Sequence, residues 1–337
     1  MKQFLKKISY TLLPIWLFLV GAVAYVALFI YPEICGDISR VGLIPFGHDY
    51  ENLMARNWPS QMRLTTIDDI DKLQQVHADV LTIGDSFSQR DEDAYQNYLC
   101  YHGLKVVNCQ REMFYNPMTF AYEVMDHGLI DSTRVRVLIV EIVERYVENF
   151  MTHFNPNPLK STLMTSKKPL QGQHPTRWSL ERARTFLFLR TGYVDNPVIH
   201  EQLDADYFSS EHPRSLYYYN EDLDGMTISP EAEHDIAMNY RRLMDKAREK
   251  HIQIIFLVAA DKYDLYQNHI VGNPNPSKRV NEDLVRILHG DSRLLISKDL
   301  LQPLVDRGEK DVYLYNDSHW SYKAARVVAD ELYRRIK

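Results

Sequence analysis

Apolar and polar positions alternate in blocks along this chain. Compact apolar runs rich in branched residues are followed by turn residues, and then by stretches with helical spacing. Short runs of this kind are typical of strands that are buried on both faces. The predicted strands are 79–83, 104–109, 135–142, 252–259, 293–296 and 312–315, and the predicted helices are 67–76, 92–101, 117–127, 229–250, 279–288, 300–307 and 321–336.

Strands that alternate with helices predict the fold class. We expect a three-layer α/β/α fold, with one parallel, flavodoxin-like sheet and helices on both of its faces. The constant handedness of the crossovers would then place the carboxyl end of every strand on one edge of the sheet. The chain of 337 residues is long enough for one such domain, which we assign to 79–337.

The pattern is lost between about 149 and 229, where prolines, lysines and aromatic residues mix. An irregular stretch this long inside a compact domain is often a functional insertion or a lid. It could equally be an elaboration without a role. Residues 33–78 are interpreted as a connector with a leading helix, and a further short helix is predicted at 51–56.

The N-terminal 32 residues are predicted to form a membrane anchor. No residue between Ile8 and Pro32 is charged, Leu12–Tyr31 is almost wholly apolar, and Lys2, Lys6 and Lys7 precede it. A stretch of this length can span a bilayer, and the basic flank stays in the cytoplasm, so the remainder would lie outside. A cleaved signal peptide is the alternative.

Composition narrows the choice of function. The net charge of −6 argues against a broad nucleic-acid surface. Three cysteines are too few for a disulfide scaffold; Cys100 and Cys109 could pair in an oxidising compartment or be small buried thiols. The 22 tyrosines suit sugar binding or half-buried packing. The histidines form no close ligand pair, and neither a metal nor another cofactor is expected.

Polar residues follow the predicted strands repeatedly, at the edge where ligands bind in open α/β sheets. Ser86 comes directly after the first strand, where the amides that open the next helix could hold an anion. The others are Asp85, Asn108, Glu144, Arg145, Asp261, Lys262, Asp317 and His319.

Ser86 is a possible nucleophile, but a serine hydroxyl needs a base, and that base needs an acceptor on its second ring nitrogen. His319 could be the base and Asp317 the acceptor if the loop curls, with Trp320 packed against the ring. In the alternative interpretation, Asp317 and Ser318 merely cap the last helix and His319 lies on the surface.

Two motifs carry a resemblance to a known family. Gly84-Asp85-Ser86-Phe87-Ser88 and the late Asp317-Ser318-His319-Trp320 look like the SGNH hydrolase superfamily, and the second resembles the membrane-anchored, periplasmic alginate O-acetyltransferase-like proteins. Similar motifs follow the third and fourth strands, at 141–145 and 261–266. The order of the motifs departs from the alginate proteins, and the blocks that complete the SGNH oxyanion hole are not evident.

This resemblance implies a serine O-acyltransferase with the triad Ser86, His319 and Asp317, acting on an extracytoplasmic polysaccharide. It also implies a single-pass protein of the bacterial inner membrane, with a membrane-bound O-acyltransferase as its acyl supplier. For the oxyanion or the substrate, the candidates are the Ser86 amide, Asp85, Asn108, Glu144, Arg145, Lys262 and Trp320. Arg145 and Lys262 could instead pair with Glu141, Glu144 and Asp261.

Two other functions stay open at this point. An esterase with the same triad would remove acyl groups, because the first half-reaction is shared. A catalytically silent polysaccharide-binding subunit of a secretion complex is the third hypothesis. The sequence leaves the polymer and the acyl group undefined.

Overall fold

The computed structural model describes residues 2–25, 36–38, 64–90, 94–156 and 197–337. Within these ranges a six-stranded sheet forms the centre of the protein, and all its neighbouring strands are parallel. Its strands, in chain order, are β1 Thr65–Ile67, β2 Val80–Gly84, β3 Val106–Cys109, β4 Val137–Val143, β7 Gln253–Ala259 and β8 Leu294–Ile296.

The strand order in the sheet is β1-β3-β2-β4-β7-β8. The chain therefore runs outward from β2 to β3 and then crosses back over β2 to β4. The carboxyl ends of β2 and β4 flank this reversal of direction, which is where open α/β sheets form their ligand crevice. Ser86 follows β2 and so lies at this point.

Helices cover both faces of the sheet. The helices among the described residues are, in chain order, α1 Lys2–Tyr25, α2 Ile70–Leu73, α3 Tyr95–Tyr101, α4 Pro117–Asp126, α5 Val147–Thr152, α6 Pro230–Glu249, α7 Lys262–Tyr266, α8 Val280–Ile287, α9 Ser297–Asp306 and α10 Tyr322–Ile336. Asn116 caps α4 by accepting from two amides, and a proline opens both α4 and α6, where its missing N–H costs nothing.

Alternate residues of each strand pack into one of two buried clusters. In β7, Ile254, Phe256 and Val258 pack with α4, α6 and α8, whereas Ile255, Leu257 and Ala259 pack with α3, α9 and α10. This division is the period-two geometry of a strand buried on both faces. The predicted α/β architecture with helices on both sides of a parallel sheet is confirmed.

Some predicted elements were wrong. The helix expected at 67–76 is shorter, and Ile67 ends the edge strand β1 instead. The segment 312–315 does not extend the sheet, because it closes on its own loop through a single antiparallel bridge between Tyr313 and Trp320. The stretch expected to be irregular contains an antiparallel pair, β5 Val198–Gln202 and β6 Ser215–Tyr219.

Helix α1 exposes its apolar side chains; Trp16, Leu17 and Phe18 are 64%, 63% and 75% exposed. Among the residues described, none of the helices meets the length and hydropathy needed to cross a membrane. Cys100 and Cys109 are free thiols, and burial raises the pKa of Cys109. Cys35 and the predicted helix at 51–56 lie outside the described residues.

Candidate active site

The turn that carries Ser86 is built on a close contact between two strands. Gly84, the last residue of β2, pairs with Glu141 of β4. A Cβ atom on Gly84 would lie 2.2 Å from Ser88 Oγ and 2.5 Å from Glu141 Oε2, so only glycine fits here. The chain then forms a 3-10 turn over Ser86–Ser88, capped by Asp85.

The cap corrects one expectation about the oxyanion site. The Ser86 amide donates to Asp85 Oδ1 at 2.8 Å, so the amide expected to hold the anion is already engaged. Asp85 is buried, and Arg111 pairs with its Oδ1 at 3.0 Å. Asp85 therefore shapes the turn that carries Ser86, and as a carboxylate it accepts hydrogen bonds rather than donating them to an anion.

Ser86 opens into a cavity of about 400 Å³. The walls come from β1, from the loop after β2, and from the end of β3 with the loop that follows it, and they include Asn108, Arg90 and Arg111. Asn108 Oδ1 accepts from Thr82 Oγ1 at 2.7 Å. This leaves the Asn108 amide nitrogen as the donor that the side chain can offer to the cavity.

The loop that carries the histidine places Asp317 and His319 in direct contact. His319 Nδ1 lies 2.5 Å from Asp317 Oδ1, and the His319 amide donates to the same oxygen at 3.0 Å. Both side chains are buried, and Ser321, not Asp317 or Ser318, accepts the capping bond at the start of α10. The interpretation of His319 as a surface residue beside a helix cap is thus wrong.

The second ring nitrogen of His319 is left available. With the carboxylate of Asp317 at Nδ1, the proton belongs on Nδ1 and the lone pair on Nε2. Within the described residues, Nε2 is buried and has no hydrogen-bond partner. A nitrogen in this condition can accept a proton from a bound nucleophile.

Asp317 is held in its charged form. Burial alone would raise the pKa of this carboxyl, but the charge of Arg90 and the bonds from His319 outweigh it and hold the pKa well below its usual range. Arg90 reaches Asp317 Oδ2 at 3.2 Å. A carboxylate that stays ionised can stabilise a positive imidazole.

Contacts between distant parts of the chain bring the two motifs together. Phe87, next to Ser86, packs on the His319 ring with centroids 4.7 Å apart and on Trp320 at 4.5 Å. Arg90 also bridges them, because it lines the Ser86 cavity and pairs with Asp317. Phe87 therefore occupies the position beside the ring that we expected for Trp320.

The contact between the hydroxyl of Ser86 and the ring of His319 is a separate question from the contact between the two motifs. Within the described part of the chain, no hydrogen bond connects Ser86 Oγ to His319 Nε2. Such contacts commonly tighten only when substrate binds. The roles of Ser86, His319 and Asp317 in a triad therefore stay a prediction.

Lys262 supports the loop that carries His319, which we call the histidine loop. Its ammonium group donates to the carbonyls of Leu314, Tyr315 and Asp317 at 2.7, 2.8 and 3.1 Å. It does not pair with Asp261, as the ion-pair interpretation required. Complete burial lowers the pKa of Lys262 to about 7, against the opposing charges of Asp317 and Asp37.

Glu144 and Arg145 belong to a buried ionic network rather than to the cavity. Arg145 bonds to Asp261 and to Asp222 at 3.2 Å, and not to Glu141 or Glu144, the partners named in the ion-pair alternative. Glu144 accepts from the Asp261 amide at 2.8 Å, and burial raises its pKa well above the usual range. These contacts give both residues a structural role at the ends of β4 and β7.

Asp37 is a part of the site that the sequence did not reveal. It accepts from the Ser318 amide at 2.7 Å and from Ser318 Oγ at 2.5 Å, and its Oδ2 lies 3.6 Å from His319 Nδ1. No motif surrounds Asp37, and 281 positions separate it from Ser318. Only the fold could show this contact.

Asp37, Asp317 and His319 also form a cluster that could hold a metal ion, with ligand atoms within 4.8 Å of one another. The spacing of histidines along the sequence does not reveal this cluster. A metal bound at about 2.0–2.2 Å would need the ligand atoms farther apart than the 2.5 Å between His319 Nδ1 and Asp317 Oδ1. The distance fits a hydrogen bond between base and orienting carboxylate.

A family model described as SGNH hydrolase-like domain, acetyltransferase AlgX, matches this chain at residues 216–337. The match includes Lys262, Asp317 and His319, and Ser86 lies outside it. Neither the curated proteins nor the solved structures gave a match. The match indicates an enzyme that transfers or hydrolyses acyl groups. The resemblance predicted from the sequence is thus confirmed for residues 216–337, which are similar to the SGNH hydrolase-like domain of the AlgX acetyltransferase family.

Proposed function

We propose that this protein is an O-acyltransferase that moves an acyl group, through Ser86, to a hydroxyl of an extracytoplasmic polysaccharide. The observation that carries the proposal is the state of His319, with Nδ1 bonded to a charged Asp317 and a buried Nε2 that has no partner among the described residues. The contact of Phe87 with the same ring supports Ser86 as the nucleophile.

The reaction has two half-reactions with the same proton path. Ser86 Oγ attacks the carbonyl carbon of an acyl ester while His319 Nε2 takes the hydroxyl proton, and that proton then goes to the leaving alcohol or thiol. In the second half, a sugar hydroxyl attacks the acyl-serine and gives its proton to His319. The proton returns to Ser86 Oγ as the ester of the sugar forms.

The side-chain amide of Asn108 is the proposed hydrogen-bond donor to the oxyanion. It lines the same cavity as Ser86, and Thr82 fixes its carbonyl end. Donors held in place in this way stabilise developing charge without reorganisation. Arg111, on the same wall, pairs with Asp85 through one guanidinium nitrogen and adds a positive field to the cavity.

The cellular setting is part of the proposal. The basic N-terminal tip and the apolar stretch Leu12–Tyr31 support a single-pass anchor in a bacterial inner membrane, with the catalytic domain outside. Coenzyme A is absent there, so the acyl group would come from a membrane-bound O-acyltransferase partner. This partner rests on analogy with the family and not on a surface of this chain.

The experiment compares wild type and Ser86→Ala with p-nitrophenyl acetate as donor and oligosaccharides as acceptors. We expect wild type to release nitrophenol and to acetylate the acceptor, and Ser86→Ala to do neither, while the surface control Ser132→Ala stays active. Hydrolysis without transfer would instead identify an esterase. If cells that carry Ser86→Ala still acylated the polymer, the protein would instead be a catalytically silent polysaccharide-binding subunit.

A further inference from the structure

A second cavity adjoins the one that contains Ser86. It measures about 480 Å³ and shares Arg111 and Glu112 with the Ser86 cavity. Its volume is within the range of about 300–1,000 Å³ that is common for small-ligand sites. We call it the aromatic groove; its remaining walls are Phe114, Tyr115, Tyr146, Asn149 and Phe150.

Four aromatic rings form the groove. Phe114 and Phe150 are buried, whereas Tyr115 is 78% exposed. The rings of Tyr115 and Tyr146 lie 6.4 and 5.6 Å from Phe150. The Tyr146 hydroxyl donates to Glu221 at 3.0 Å, which fixes its ring. A tyrosine that remains this exposed within a cavity offers an apolar face to a ligand.

The rim of the groove is polar. Glu112 and Asn149 are exposed, and Arg111 is held in place by Asp85. Together they offer a carboxylate, an amide and a guanidinium, which can both donate to and accept from hydroxyl groups. Aromatic faces bordered by such groups match a pyranose ring, which has apolar C–H faces and a hydroxyl edge.

We propose that the aromatic groove binds the sugar units of the acceptor chain that neighbour the unit acylated at Ser86. This inference rests on the proposed function and adds the place where the polymer lies. Continuity with the Ser86 cavity is the main argument, because a chain that presents one hydroxyl to Ser86 must continue along an adjoining surface. The groove provides that surface across Arg111 and Glu112.

Binding is measured first in the Ser86→Ala background, so that it does not depend on catalysis. The probes are hexasaccharides of β-1,4-linked glucose, β-1,4-linked N-acetylglucosamine and β-1,4-linked mannuronate, studied by calorimetry with the full chain. We expect at least one of them to bind, and Tyr115→Ala to weaken it about tenfold. Tyr115→Phe retains the ring and should restore binding. Tyr101→Ala, at a tyrosine 58% exposed outside the groove, is the matched control.

Catalysis is then measured with Ser86 present. Tyr115→Ala should raise the KM for the bound hexasaccharide, whereas Tyr101→Ala should leave both this KM and the hydrolysis of p-nitrophenyl acetate unchanged. If no hexasaccharide binds, or if Tyr115→Ala binds as tightly as Tyr101→Ala, the inference is overturned. If wild type binds a hexasaccharide but does not hydrolyse p-nitrophenyl acetate, the result would count against the proposed function. The assignment of the groove as a sugar-binding site would still stand.

Discussion

At the scale of single residues, the site depends on how His319 is oriented. Its Nδ1 faces two carboxylates, Asp317 at 2.5 Å and Asp37 at 3.6 Å. Burial and the neighbouring charge of Asp317 raise the pKa of Asp37, although His319 and Ser318 oppose this. The pKa of Asp37 is thus raised, whereas the pKa of Asp317 is lowered. Asp317, held ionised by Arg90, is the one suited to fix the ring.

Replacing Asp317 by asparagine tests this assignment. The amide can hold the wrong tautomer of His319, with the proton on Nε2, so the base is lost while the shape is kept. We expect kcat for p-nitrophenyl acetate to fall about 10²–10⁴-fold, with KM little changed. Circular dichroism should confirm the fold. A variant with nearly normal kcat would remove Asp317 from the catalytic mechanism.

Lys262→Met tests the support of the histidine loop through its pH dependence. The pKa of Lys262 is about 7 in the folded chain and 10.5 ordinarily. Between these values the unfolded chain binds the extra proton, so stability rises with pH. The advantage of wild type over Lys262→Met should therefore grow from pH 7.5 to 9.5, by at most ~1.4 kcal/mol per pH unit.

Urea unfolding of both chains at the two pH values provides the measurement. If the difference in unfolding free energy between the two chains did not change with pH, the pKa of Lys262 would not be lowered in the folded state. Activity adds a second readout, because the three carbonyls that Lys262 binds belong to the loop that positions His319. We expect Lys262→Met to lower kcat as well.

At the scale of elements, a short segment completes the site. Gly36 and Asp37 contact the loop that carries Asp317, whereas Ile38 packs with Val198 of β5. A Cβ atom on Gly36 would lie 2.1 Å from the Asn316 carbonyl oxygen and 2.9 Å from Asp317 Cβ. No rearrangement of a flexible side chain could relieve a clash with backbone, so this segment and the histidine loop must fit as one unit.

Gly36→Ala should therefore displace either the segment or the loop. Because catalytic geometry tolerates little displacement, we expect kcat to fall by tenfold or more, on the order of the ~100-fold loss for a 1 Å misplacement. Gly21→Ala is the control, since nothing lies within 4 Å of its Cβ position. Steady-state kinetics and thermal unfolding of both variants would check this. Equal activities would mean that the segment does not support the site.

The elements that could be predicted from the sequence are those whose burial is uniform. Strands β2 and β4 are completely buried and β7 nearly so, which produces continuous apolar runs. Strand β1 was missed because it is a three-residue edge strand with one buried position. Strand β6 alternates half-buried and buried residues in a tyrosine-rich run, which we had interpreted as packing or sugar binding.

The same reasoning explains the site. The contact of Asp317 with His319 was predictable because the two residues are separated by one position. Lys262 was placed at the correct edge, but its carbonyl partners depend on a loop that folds back through the Tyr313–Trp320 bridge. Local spacing can predict local contacts. It cannot predict which distant backbone a buried charge will meet.

At the scale of the whole molecule, the α/β domain and the N-terminal helix differ in how they treat apolar residues: the domain buries them and the helix exposes them. Strands and helices of the domain bury most of their apolar residues in two large clusters, whereas α1 exposes the large apolar side chains between Leu12 and Val20. Exposed apolar surface of this extent needs a partner or a lipid environment. If α1 is the proposed membrane anchor, the bilayer would supply that environment. The anchor would also keep the site close to the membrane-bound partner that supplies the acyl group.

Arginine substitutions at Leu17 and Val20, which are 63% and 58% exposed, test the anchor. Each charge at the centre of a membrane segment costs about 2.5–3.5 kcal/mol on insertion scales, so the pair should move the chain out of the membrane fraction. Alkaline carbonate extraction of cells provides the measurement. Leu17→Ile with Val20→Leu retains the apolar character and should stay in the pellet. Recovery of wild type in the carbonate supernatant would exclude an integral anchor, while the geometry of Ser86 and His319 would be unaffected.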